Sequence, residues 1–182
     1  IVFIDPSVPQ AEMIVAQLPE NAEVVRLSPG MEAIAQISAR LAKKVNLSTI
    51  RIISHGNEGY FVLNGTRIDN DFLQEQGSRV APWGRALAEN GDILLYACNL
   101  AATNEGKAFV GKLSDLTGAD IAASIDITGG EIFKGNWSLE YEIGQIDTIA
   151  LTIEPDIDIK LREATWDGGG GSGGWTTATN WD

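Results

Sequence analysis

Ile50-Arg51-Ile52-Ile53-Ser54-His55-Gly56 and Ile93-Leu94-Leu95-Tyr96-Ala97-Cys98-Asn99 are the two stretches that decide how this chain is read. Each is a run of strand length that is apolar almost throughout, rather than alternating apolar and polar. That pattern belongs to strands buried on both faces, as in a parallel sheet covered on both sides. Each run also delivers a residue that occurs once in the chain: the sole histidine after the first and the sole cysteine after the second. In an open parallel sheet the ligand crevice lies just beyond the carboxyl ends of the strands, so both side chains are expected at one site. The separation of about 40 residues leaves room for the crossover that would make the two strands neighbours.

Outward from these strands the sequence keeps a βαβ rhythm. Towards the N-terminus stand a strand at 1–4, a helix near 10–17 and a strand at 23–27. A helix follows across 30–45, where Ile34, Ile37, Leu41 and Val45 share one face. Between the two decisive strands a hairpin is expected through 60–68 and a helix near Trp83 to Glu89. Beyond Cys98 a helix over roughly 104–116 ends at Gly118, and a strand occupies 121–124. The alternation in Trp137-Ser-Leu139-Glu-Tyr141-Glu-Ile143 fits an antiparallel edge strand with one wet face. The expected fold is α/β, with a mostly parallel central sheet covered on both faces and an antiparallel edge. The compact domain is expected to span residues 1–161. Residues 162–182 read as a Gly-rich linker, Gly168 to Gly174, and the start of a following region in which Thr165-Trp166-Asp167 is echoed by Asn180-Trp181-Asp182. The opening on a strand without methionine reads as a piece of a longer protein.

Composition limits the partners. The chain has 182 residues, 44% of them hydrophobic and 21% charged, enough for one domain with a sizeable core. A net charge of −12 opposes nucleic acid and anionic lipid, since a polyanion is repelled unless a basic patch intervenes. Arg40, Lys43 and Lys44 are the nearest to such a patch, and they sit where cations complement a helix C-terminus. No apolar stretch approaches the ~20 residues of a membrane span. A single cysteine forms no internal disulfide, which leaves Cys98 for chemistry.

That chemistry follows from the pair. A neutral imidazole accepts a thiol proton, and the thiolate it creates attacks carbonyl carbon. His55 is therefore the candidate base and Cys98 the candidate nucleophile, expected as an accessible thiol. Gly56 permits close backbone approach, and its N–H together with that of Cys98 would stabilise the oxyanion of a tetrahedral intermediate. Asp5, at the end of the first strand, either orients the imidazole or caps the turn at Pro6. Asp126 either shapes a substrate pocket or serves a turn. Tyr96, close before the nucleophile, is the candidate substrate-pocket residue.

The strand-His-Gly and strand-Cys pattern resembles the clan of caspases, gingipains, clostripain and separase. Relatives that cleave after basic residues often carry an acidic residue close before the nucleophile; Tyr96 stands there in this chain, so the resemblance implies an apolar or small residue on the acyl side of the bond cut. Ile53-Ser-His-Gly56 and Ile93 to Leu100 resemble more closely the self-processing cysteine protease domains of large bacterial toxins. The span from Val2 to Gly144 is similar to the DUF4347 family, found near the start of very large bacterial surface or secreted proteins. The quoted residues for that likeness are Phe3-Ile4-Asp5, Ile53-Ser-His-Gly56, the Cys98 strand, Leu116-Thr-Gly-Ala-Asp120 and Trp137-Ser-Leu-Glu-Tyr141. The resemblance implies a caspase-like three-layer αβα sandwich, and a monomeric cysteine endopeptidase whose partner is a peptide segment of its own parent chain. It also implies a secreted or cell-surface setting. The alternative function is an inactive caspase-like module for binding or presentation in a surface adhesin. The toxin domains bind inositol hexakisphosphate in a strongly basic pocket, which this chain lacks. Calcium is the expected activator if one is needed, with Asp69-Asn70-Asp71 and Asp156-Ile157-Asp158 the nearest oxygen clusters, neither of complete ligand spacing.

Overall fold

Strand β1 (Val2–Ile4) lies between β2 (Val24–Arg26) and β3 (Leu47–Ile53), parallel to both, and β3 is followed in the sheet by β7 (Leu87–Tyr96) and β8 (Asp120–Ala123), again in parallel. Strand β9 (Tyr141–Ile143) closes the far edge antiparallel to β8, so the six-stranded order is β2-β1-β3-β7-β8-β9. The computed structural model describes residues 1–154 and 156–161, and the tail at 162–182, with its linker and its tryptophan echo, lies outside them. A second, antiparallel sheet of β4 (Gly56–Asn57), β5 (Tyr60–Leu63) and β6 (Thr66–Ile68) grows directly from the histidine strand. The chain thus folds as a mixed α/β structure with a mostly parallel central sheet.

The two faces of the sheet are covered differently. Along β7 the side chains alternate, with Ile93 and Leu95 entering one apolar cluster and Leu94 and Tyr96 the other. The first cluster is roofed by α2 (Ala33–Leu41), α3 (Asn70–Gln76) and α4 (Asn104–Thr117), through Ile34, Ile37, Phe72, Phe109 and Leu113. The second is roofed by α1 (Ala11–Val15), a helix of five residues, and by an extended strap carrying Leu151, Ile153, Ile157, Ile159 and Leu161. Helical cover on both faces was the expectation. On the second face most of it is supplied by extended chain, because α1 is too short to bury more than Ile14.

Two local expectations also change. Only the first half of the helix expected at Trp83 to Glu89 forms: a 3-10 helix at Ala81–Ala86 gives way at Leu87 to β7, whose start pairs with Leu47 across a bulge. Helix α3 was not anticipated. Its start is set by Asp69, whose carboxylate accepts the Phe72 N–H at 3.0 Å and the Arg67 guanidinium at 2.7 Å.

At the end of α2 the cations are committed locally. Arg40 and Lys44 both bind Glu23, just before β2. The hydrogen bond from Lys44 holds the Glu23 carboxyl below its ordinary value. A lowered carboxylate pKa contributes stability that is complete above the unfolded-state value, 4.5, and is lost as pH falls from there through the lower folded-state value. Glu23→Gln is therefore expected to cost under ~1 kcal/mol at pH 7 and progressively less as pH falls below 4.5, as read by denaturant titration across that range.

Candidate active site

The register of the central strands places the two unique residues just beyond the ends of neighbouring strands. Ile53 on β3 stands opposite Tyr96 on β7, and His55 and Cys98 each lie two residues further along the same carboxyl edge. Cys98 projects to the strap side, in one cluster with Tyr96.

His55 is held by one nitrogen and open at the other. Its Nε2 is 3.0 Å from the carbonyl oxygen of Ser7. A carbonyl only accepts, so Nε2 carries the hydrogen, and a neutral ring then keeps its lone pair on Nδ1. Nδ1 is buried and has no hydrogen-bond partner among the described residues. A vacant lone pair is what a general base requires, and in this arrangement Cys98 Sγ makes no hydrogen bond to it.

Asp5 acts on this arrangement through the chain rather than on the ring. Its buried carboxylate accepts the Ser7 N–H at 2.9 Å and the Ser7 hydroxyl through Oδ1, and the Asn64 N–H at 2.6 Å through Oδ2. The Asp5 carboxylate therefore shapes the turn whose Ser7 carbonyl takes the ring hydrogen. These bonds answer to the turn reading of Asp5; its carboxylate makes no hydrogen bond with the His55 ring and reaches it only by way of Ser7.

Cys98 is fully buried, contrary to the expected accessible thiol. Its Sγ lies 3.5 Å from the Thr128 carbonyl oxygen. Above it runs the strap, in which residues 159–161 pair antiparallel with 128–130: Leu161 N–H donates to Thr128 O at 2.9 Å, and Gly130 N–H to Ile159 O at 2.8 Å. At Leu161 the strap meets the two backbone donors singled out above. Gly56 N–H lies 3.0 Å and Cys98 N–H 3.4 Å from the same oxygen, the carbonyl of Leu161. Glycine is needed at 56, where a Cβ would sit 2.7 Å from that of Ala97 and 2.9 Å from Tyr60 O. It is needed again at 129, where a Cβ would stand 2.3 Å from Ile159 O and push the strap away.

Tyr96 forms part of the floor beneath the strap. Its ring packs near Trp137 with centroids 6.1 Å apart, and its hydroxyl accepts the Leu151 N–H at 2.7 Å. Burial raises its pKa above the ordinary phenol value. Asp126 supports the turn after the cysteine: its carbonyl accepts the Asn99 N–H at 2.6 Å, and its carboxylate accepts from Ser124 Oγ and Asn136 Nδ2. Those bonds answer to the turn reading of Asp126. A cleft of about 390 Å³ opens beside the strap, lined by Glu131, Trp137 and Leu151 among others, and neither His55 nor Cys98 lines it.

Sequence reasoning missed Ser7, Thr128 and Leu161, all of which act through backbone groups. Leu161 had a signal available, the alternation Ile157-Asp-Ile159-Lys-Leu161, with Ile157, Ile159 and Leu161 buried and Asp158 exposed. The acidic clusters are differently employed: Asp69 caps α3, and Asp156 and Asp158 have exposed side chains. Among the described residues no three His, Cys, Asp or Glu side chains gather as a metal site, and no helix is long and apolar enough to cross a membrane.

Over residues 1–158 the chain matches a family described as a domain of unknown function, DUF4347. No curated protein and no solved structure matches it.

Proposed function

We propose, for a chain that belongs to the DUF4347 family, a caspase-like cysteine endopeptidase that processes its own parent polypeptide through Cys98 and His55. The observation that carries this reading is the convergence of the Gly56 and Cys98 N–H groups on one carbonyl oxygen at the shared edge of β3 and β7. Two donors aimed at one oxygen beside a thiol form the arrangement that stabilises a tetrahedral oxyanion, and each such donor contributes ~3 kcal/mol to acyl transfer. The open Nδ1 of His55 supports its assignment as the group that takes the thiol proton and later protonates the leaving amine. A parallel sheet with the pair at the ends of neighbouring strands supports the caspase-like architecture. Work on its own parent fits the large bacterial surface or secreted proteins that the family resemblance implies. The chemistry needs no cofactor, and calcium would act only as a regulator.

The complete burial of Cys98 favours a second reading, a presentation module in which the thiol is only a packed side chain. Alkylation separates the two. In an Ile159→Asp chain, which loosens the strap, iodoacetamide is expected to modify Cys98 about tenfold faster than in Ile159→Asp/His55→Ala, because thiolate is the reacting form. Equal rates in the two chains, or reaction only after unfolding, would hand the case to the module.

A further inference from the structure

We infer that the peptide bond from Leu161 to Arg162 is the bond this domain cuts, in its own chain, with the Leu161 side chain as the recognised group; the inference rests on the peptidase reading above. A peptidase binds the acyl side of its substrate as an extended segment, pairs it with a fixed strand or loop, and seats the scissile carbonyl between its oxyanion donors. Residues 159–161 do all three. They pair antiparallel with residues 128–130, and the Leu161 carbonyl takes both the Gly56 and the Cys98 N–H. The Thr128 carbonyl is shared between the Leu161 N–H at 2.9 Å and the Cys98 thiol at 3.5 Å, which ties the nucleophile to the residue beside the bond.

The register is set by burial. Ile159 and Leu161 are 0% exposed, and Lys160 between them is half-buried. A slip by one residue would turn the apolar set outward and press Lys160 into the apolar floor. A strap serving only as cover would find any N–H sufficient for its last carbonyl. Here the donors are the residue after the only histidine and the only cysteine itself.

The chemistry balances. His55 Nδ1 takes the Cys98 proton, and the thiolate adds to the Leu161 carbonyl carbon. The oxyanion collapses, the bond to the Arg162 nitrogen breaks, and His55 returns the proton to that amine. Water then hydrolyses the Cys98 thioester, giving the Leu161 carboxylic acid, which ionises, and regenerating the thiol.

The test is a time course on the purified 182-residue chain, read by intact mass and by N-terminal sequencing of the released peptide. Fragments 1–161 and 162–182, with a new amine on Arg162, are expected, and Cys98→Ala is expected to stay whole. Leu161→Asp is expected to slow release at least about 100-fold. Arg162→Pro, which leaves the Leu161 side chain in place, is expected to block it as well. A Cys98-dependent cut at another bond overturns the inference and leaves the peptidase reading standing. So does a chain that stays whole although alkylation of Cys98 depends on His55. Cleavage that persists equally in Cys98→Ala, or a whole chain without His55-dependent alkylation, overturns both.

Discussion

His55→Ala in the full chain is expected to slow release of the tail by about 10³-fold, with the fold intact. Removing the ring breaks one hydrogen bond, from Nε2 to the Ser7 carbonyl, a loss on the order of 1 kcal/mol in stability. The rate is far more sensitive, because without a base at Nδ1 the thiol must lose its proton to water. Two controls tie the effect to proton transfer rather than to structure. Millimolar imidazole should restore part of the rate to His55→Ala and none to Cys98→Ala. The wild-type rate should also be first order and unchanged by dilution, because the bond cut belongs to the chain that cuts it. A rate that falls in proportion to concentration would place the cut between molecules and set aside the seat described for Leu161.

The second large effect is expected at Asp5. Its carboxylate takes the Ser7 N–H, the Ser7 hydroxyl and the Asn64 N–H in a buried setting. Asp5→Ala leaves the two backbone donors without their acceptor, and each such loss costs ~1–3 kcal/mol, so a destabilisation of about 3 kcal/mol is expected in thermal or denaturant unfolding. Because Ser7 also holds the ring, the release rate should fall beyond what the unfolded fraction accounts for. Asp5→Asn keeps one acceptor oxygen and should recover part of both. If release from Asp5→Ala follows the folded fraction alone, Asp5 supports the fold and has no part in positioning the base.

The pair His55 and Cys98 was legible because two signals coincide: each residue is unique, and each follows a continuous apolar run whose burial forces a parallel sheet. Gly56 was legible as a backbone donor at that edge for the same reason, since its position next to the histidine fixes where its N–H can point, and that N–H meets the Leu161 carbonyl. Asp5 was legible as important but not in its manner of acting, because the group it positions is a backbone carbonyl, and carbonyls leave no mark on composition. The strap was the larger omission. Its alternation is broken by Pro155 and only its last residues pair with another segment, so it carries neither strand length nor turn signals. The family resemblance suggested helices for the second face, whereas the apolar side chains that cover it lie largely between Leu151 and Leu161. Asp69 was misread for a related reason: an acidic residue before a helix and one beside a metal look alike until the N–H groups of the helix are in place.

The seat of Leu161 would also fix when the proposed cut can happen. Its pairing residue, Thr128, and its two donors, Gly56 and Cys98, come from three separate parts of the chain, all synthesised before it. Contacts that span so much sequence close late in folding, since the loop entropy must be overcome first. The seat is therefore complete only once the sheet has assembled and the last segment of the domain has docked. Under the proposed cut, a chain with a misplaced strand would lack the seat and keep its tail, and the length of the polypeptide would record whether this domain had folded.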